Sequence, residues 1–271
     1  MCKYVHTAVL LVATTLLACV GLPAHAASGG PVLISQPKQF PITITEPGSY
    51  QLDENLVVPD ANTTAIEVAT NDVTIDLNGF SISGPVVCSG TSCSSSGFGN
   101  GISTAGILPV GCCSNITVRN GTIRGMGGRG ISLSHNSVLI EDMHIRSNAG
   151  AFAAGVDIVG LNATIRHSSF DSHCGGTAIF VQVEAFLISD NVVTGCGNGF
   201  GVVSGVGSTG SVLRNVIVGH GVGLALYNSN TGYAGYSGNV FENNVLNVLP
   251  GYGINLGQNL CGNAVCPGGQ L

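Results

Sequence analysis

Lysine is missing from this chain after Lys38, tryptophan is missing throughout, and charged residues make up only 8% of the 271 positions. A nucleic-acid backbone calls for a stripe of Lys and Arg. Here six arginines are scattered over a chain of formal charge −6, so a nucleic-acid partner is excluded. The lack of Trp leaves tyrosine as the polar-tipped ring for stacking on a sugar face. No proline stands between Pro109 and Pro250, so nothing there interrupts a ladder of hydrogen-bonded strands. The apolar run near the N-terminus is too short for a comfortable membrane span, and no transmembrane segment is expected. With 44% hydrophobic residues the chain is not of disordered composition.

What is present is glycine, 41 residues of it, and a repeated pattern. The pattern is clearest from Asn115 to Leu133. Ile116-Thr117-Val118, Thr122-Ile123-Arg124 and Gly130-Ile131-Ser132-Leu133 are strand-like pieces, each ending in a polar or Gly turn. Weaker copies follow at a period of roughly 25 residues, the mark of a solenoid. A first apolar column reads Ile75, Val118, Ile140, Ile165, Ile188, Leu213, Phe241. A second reads Phe80, Ile123, Ile145, Phe170, Val193, Val218, Leu246. A third reads Ile131, Val156, Ile179, Phe200, Leu224, Ile254, with Leu133, Ile158, Val181, Val202, Leu226 and Leu256 two residues beyond. Three alternating strands per period predict an all-β, single-stranded parallel β-helix of about seven to eight coils. Each coil stacks on the next at about 4.8 Å.

Beside the apolar columns run polar ones. Asp76, Arg119, Glu141, Arg166, Ser189, Arg214 and Glu242 predict a ladder of surface ion pairs. The next column, with Asn120, Asn215 and Asn243, predicts an amide ladder at a turn. It also sets His167 between Asp142 and Asp190, with His144, Arg146, Asp171 and His173 in the same two coils. This is the densest titratable group in the chain. His167, Asp142 and Asp190 are therefore the candidate catalytic residues, against a reading as turn chemistry alone. Arg146 and Asp171, with Tyr227, Tyr233 and Tyr236 of a second loop at 227–238, are the candidate substrate-binding residues.

Residues 1–26 read as a secretory signal: Lys3, an apolar run from Ala8 to Val20, then Ala24-His25-Ala26 as a cleavage site. Leu16-Leu17-Ala18-Cys19 offers a rival reading, a lipid anchor on Cys19. Residues 27–271 then form one domain, with an insertion at 84–114 and a C-terminal cap at 257–271. An exported chain with eight remaining cysteines favours disulfides. Cys174 and Cys196 hold the same place in adjacent repeats and stack at bridging distance. Cys261 and Cys266 can close a short loop. Cys88, Cys93, Cys112 and Cys113 are expected to pair among themselves. No zinc-type spacing occurs, and no metal or other cofactor is expected; calcium has no motif here to support it.

The strings VTIDLNGFSISG, ITVRNGTIRGMGGRGISL and GQNLCGNAVCP resemble a family of exported bacterial right-handed parallel β-helix repeat proteins, of the pectate-lyase-like superfold. The resemblance covers about residues 40–266. It implies a right-handed coil and an extracellular or periplasmic location. That superfold hosts polysaccharide lyases, hydrolases and epimerases as well as non-enzymatic surface proteins, so it does not choose a function. Gly219-His220-Gly221 matches the G-H-G string of polygalacturonases, but their N-T-D and R-I-K strings are absent. The R-x-P-x-x-R of pectate lyases and the D-P-H-D of alginate epimerases are absent too. The reading is an exported protein that binds polysaccharide at or outside the cell surface. The alternatives are a carbohydrate-active enzyme, a lyase, epimerase or hydrolase, and a purely structural envelope protein. Neither the glycan nor the oligomeric state is legible.

Overall fold

An alternating apolar–polar strand has one face to bury, and a coil of three such strands can bury it only against neighbouring coils. The computed structural model describes residues 29–89, 92–94, 96–104, 113–134, 136–150, 153–171, 176–227, 232–250, 253–262 and 264–266. No helix occurs among them. Twenty-five strands hydrogen-bond into one continuous sheet that winds through about eight turns, parallel except at its last strand. Residues from Pro31 onward pack as one unit.

The sheet folds into three walls. The first runs from Val32–Ile34 through Gly48–Leu52 and Val73–Asp76 to Ala234–Ser237 and Ile254–Asn255. The second runs from Leu56–Val57 through Ser81–Ser83, Ser169–Asp171 and Val216–Val218 to Leu260–Cys261. The third runs from Ile42–Ile44 through Ile66–Val68, Ile102–Thr104 and Ile131–Ser134 to Leu246–Val248. Inside, Ile75, Val118, Ile140, Ile165 and Ile188 stack in one file, each fully buried. Ile82, Ile123, Ile145, Phe170 and Val193 form a second file on the next wall. Each such side chain contributes about 1.5–3 kcal/mol of burial.

The corner between the first and second walls is a single left-handed residue. Asn120, Asp142, His167, Asp190 and Arg214 occupy it in successive coils, with φ of 60°, 53°, 50°, 59° and 55°. One residue turns the chain so sharply that Ile116–Arg124 and Val138–Arg146 each run through two walls as one nine-residue strand. Asn and Asp tolerate this conformation best, which explains their recurrence here.

The residue after this corner points inward and carries the amide ladder. Asn191, Asn215, Asn239 and Asn259 are all buried. Each side-chain oxygen accepts the backbone N–H of the coil before it, at 2.9–3.0 Å from Asn191 to Asn259. Ser168 continues the line, its N–H donating to Asn191 at 3.0 Å. The expected ladder of Asn120, Asn215 and Asn243 is thus corrected: only Asn215 belongs to it, and Asn243 is an exposed left-handed residue, φ 54°.

Several column assignments shift as well. The first file continues through Val212 and Tyr236, not Leu213 and Phe241. The second takes Ile82 in place of Phe80, Ile217 in place of Val218 and Phe241 in place of Leu246. The third takes Val202 and Val248 rather than Phe200 and Ile254, and its companion file takes Ser204 in place of Val202. At Val212-Leu213 and Ile217-Val218 two adjacent residues are apolar, so alternation cannot say which faces in; Asn215, locked in the ladder between them, decides. Before Ile82, Asn78 (φ 52°) and Gly79 (φ 80°) lengthen the corner. The expected insertion at 84–114 contains a regular third-wall rung, Ile102–Thr104. The corner before that rung holds a small antiparallel hairpin closed by Cys88–Cys93. At the C-terminal end Ala264–Val265 turns back antiparallel on Leu260–Cys261, closed by Cys261–Cys266. Cys113 and Cys196 are also disulfide-bonded. Cys112, His173 and Cys174 lie outside the described residues.

Candidate functional site

On the second wall Ile123, Ile145 and Phe170 anchor inward, and alternation turns their neighbours to solvent. One outward column is Thr122, His144 and Ser169; the other is Arg124, Arg146, Asp171 and Thr194. His144 Nδ1 and Ser169 Oγ share a hydrogen bond of 2.6 Å across one rung. Thr194 Oγ1 donates to Asp171 Oδ1 at 2.9 Å across the next. Thr122, His144, Arg146, Ser169 and Asp171 line a concavity of about 300 Å³. The wall thus presents rows of hydrogen-bonding groups along the solenoid axis at about 4.8 Å.

The arginines divide into two kinds. Arg119 pairs with Asp76 at 3.1 Å, Arg129 with Asp157 at 2.9 Å, Arg166 with Glu141 at 2.7 Å and Arg214 with Asp190 at 2.7 Å. The ion-pair ladder therefore exists in part, but Arg214 reaches back to the corner residue Asp190, and Leu213 takes its expected place. The Arg214 guanidinium, through its hydrogen bonds, holds the Asp190 carboxyl below its ordinary range. Burial pushes Asp157 up despite the facing Arg129. Arg124 and Arg146 make no ion pair among the described residues, and they are register partners on adjacent strands.

The expected catalytic residues sit elsewhere. Asp142, His167 and Asp190 do stack in successive coils, but at the exposed left-handed corner. None of them lines the concavity. Asp142 and Asp190 are also of the residue types that tolerate a left-handed backbone. The structure instead brings Arg146 and Asp171, both expected as binding residues, together with His144 on one face. Sequence reading missed Arg124, Thr122, Ser169 and Thr194 as members. The signal was available: they share the alternation phase of Arg146 and Asp171.

The tyrosines do not form one platform. Tyr233 is 59% exposed, whereas Tyr236 is 2% exposed. Tyr236 packs edge-on against Phe241, with ring centroids 6.3 Å apart, and burial raises its pKa. Tyr227 is half-buried. The G-H-G histidine is also internal. His220 is fully buried at the corner after the second wall, and neither ring nitrogen has a hydrogen-bond partner. Burial drives its pKa down to about 4, and the Val193 backbone opposes this.

A shallower groove of about 560 Å³ crosses the first wall over Thr117, Leu139, Thr164 and Leu187. Its one cation, Arg166, is already engaged by Glu141. No group of three or more His, Cys, Asp or Glu among the described residues is placed to hold a metal ion. No helix among them is long and apolar enough to cross a membrane.

No curated protein matches the chain in sequence. Residues 53–211 and again 105–265 match the family described as right handed beta helix region. The two matches overlap over residues 105–211. Together they run from residue 53 to residue 265, and on them the chain belongs to the right-handed β-helix family.

Proposed function

We propose that this protein is an exported β-helix that contacts polysaccharide through the outer face of its second wall. The observation that carries the reading is the ordered strip of Thr122, His144 and Ser169 beside Arg124, Arg146 and Asp171, set around a concavity. A sugar polymer offers hydroxyl groups at regular intervals. A strip whose donors and acceptors recur at about 4.8 Å meets them in series. Export is supported by the signal-like residues 1–26 and by the disulfides Cys88–Cys93 and Cys261–Cys266, which persist in oxidising compartments.

The test is a panel of plant, algal and bacterial polysaccharides offered to protein purified after export from a bacterial host. Binding and product release are both read. Retention of one or more polymers without new chain ends supports the reading. New reducing ends or unsaturated uronates make the protein a carbohydrate-active enzyme instead. Inertness in both measurements leaves a purely structural envelope role.

A further inference from the structure

We propose that the polymer this face takes is an acidic one, whose carboxylate or sulfate groups sit between the guanidiniums of Arg124 and Arg146. The proposal rests on the reading of this face as a polysaccharide surface and adds the chemical class of the ligand. Acidic residues outnumber basic ones in the chain, 14 to 8. Four arginines have found a carboxylate within 4.0 Å. The two without one among the described residues are paired rung on rung. Like charges directly opposite in a sheet repel. The arrangement therefore costs stability in the free protein, and an anion laid between the two removes that cost.

The surroundings fit the same ligand. Arg124 has Ser83 on its other side and Arg146 has Asp171. Asp171 accepts from Thr194 on the rung beyond, on the side away from Arg124. Thr122 and Ser169, in the neighbouring column, offer hydroxyls to sugar oxygens at the same height. A guanidinium presents a planar fork of N–H donors that matches a carboxylate or sulfate edge, and two forks in adjacent rungs can hold successive charges or share one. With a net charge of −6 the protein as a whole repels polyanions, so binding must come from a local cationic patch.

The experiment measures binding of the exported protein to polygalacturonate, dextran sulfate and uncharged dextran, for the parent and three variants. At least one acidic polymer is expected to bind about tenfold more tightly than dextran, more weakly as salt rises. Which one binds distinguishes carboxylate from sulfate recognition. Arg124→Gln with Arg146→Gln is expected to lose about tenfold or more, and Arg146→Gln alone part of that. Arg119→Gln, which removes a guanidinium already paired with Asp76, is expected to change little. Circular dichroism confirms that each variant is folded. Dextran bound as well as the acidic polymers overturns the inference and leaves the polysaccharide reading standing. Acidic polymers bound equally by the double variant also overturn it. Failure of all three polymers to bind overturns the inference, and the polysaccharide reading is then decided by the wider panel.

Discussion

The imidazole of His220 lies against Gly195 of the preceding coil, so closely that a Cβ at position 195 would stand 2.5 Å from Nδ1. The carbonyl of Gly219 would be met at 2.6 Å by the same atom. A buried ring at this corner therefore requires glycine in the coil beside it. Gly195→Ala is expected to lower unfolding free energy by about 1–3 kcal/mol, the ordinary cost of overpacking. Urea unfolding of parent and variant checks it; unchanged midpoints would show that the ring can step aside.

The same histidine gives the protein an acid-sensitive interior. Burial holds its folded pKa near 4, below the unfolded value of about 6.5. Between those values the unfolded chain takes up a proton that the native chain refuses. Stability is full above the unfolded pKa and falls as the pH is lowered from about 6.5 towards 4, by an amount on the order of 3 kcal/mol. His220→Asn places an amide where Asn244 stands in the next coil and should remove that part of the slope. The measurement is the difference between parent and variant in stability from neutral pH to pH ~4.5. Parallel curves would mean that His220 titrates normally.

Asn215 accepts and donates at once. Its oxygen accepts the backbone N–H and the side-chain N–H of Asn191, each at 3.0 Å. Its own amide donates to Ile188 and Asn239 at 3.0 Å. Asn215→Leu orphans the donors of Asn191 and should cost about 1–3 kcal/mol for each group left bare. Asn243→Gly, at an exposed left-handed corner, should stay within about 0.5 kcal/mol of the parent. Equal losses at the two positions would show that the ladder contributes no more than a surface turn.

Cys196 is disulfide-bonded. The strands on either side pair Asp171 with Thr194 and Thr177 with Phe200, so in sequence Cys174 falls one residue out of register with Cys196, in a coil stacked at bridging distance. Peptide mapping of exported, unreduced protein is expected to recover the two together. A Cys196 peptide joined to any other cysteine would end that assignment.

The inner file from Ile75 to Ile188 was legible because each of its residues is followed by a polar one, as in Val118-Arg119 and Ile165-Arg166, so alternation names one inward face. Legibility failed where it did for identifiable reasons. Val212-Leu213 and Ile217-Val218 fit either face, and a one-residue slip inverts a strand without changing its hydrophobic count. Tyr236 read as loop surface because ring chemistry suggested a sugar platform; the file it joins belongs to Val212. The titratable column of Asp142, His167 and Asp190 stands in the expected register, and it coincides with the left-handed corner. A left-handed corner selects Asn and Asp for the backbone they tolerate, which from sequence looks like selection for chemistry. The isolation of Arg124 and Arg146 could not be read at all, since it depends on which carboxylates the other four arginines reach.

The constant register of Ile140, Ile165 and Ile188 has a consequence for heredity. Chain length in this fold is quantised: a duplication or loss of one whole coil shifts everything beyond it by one rung and leaves every side chain facing as before. A single residue gained within a wall turns that strand inside out. The genome can lengthen this protein cheaply in only two ways, by entire turns, or at the corners, where residues 84–101 already show how much extra chain a bend will carry.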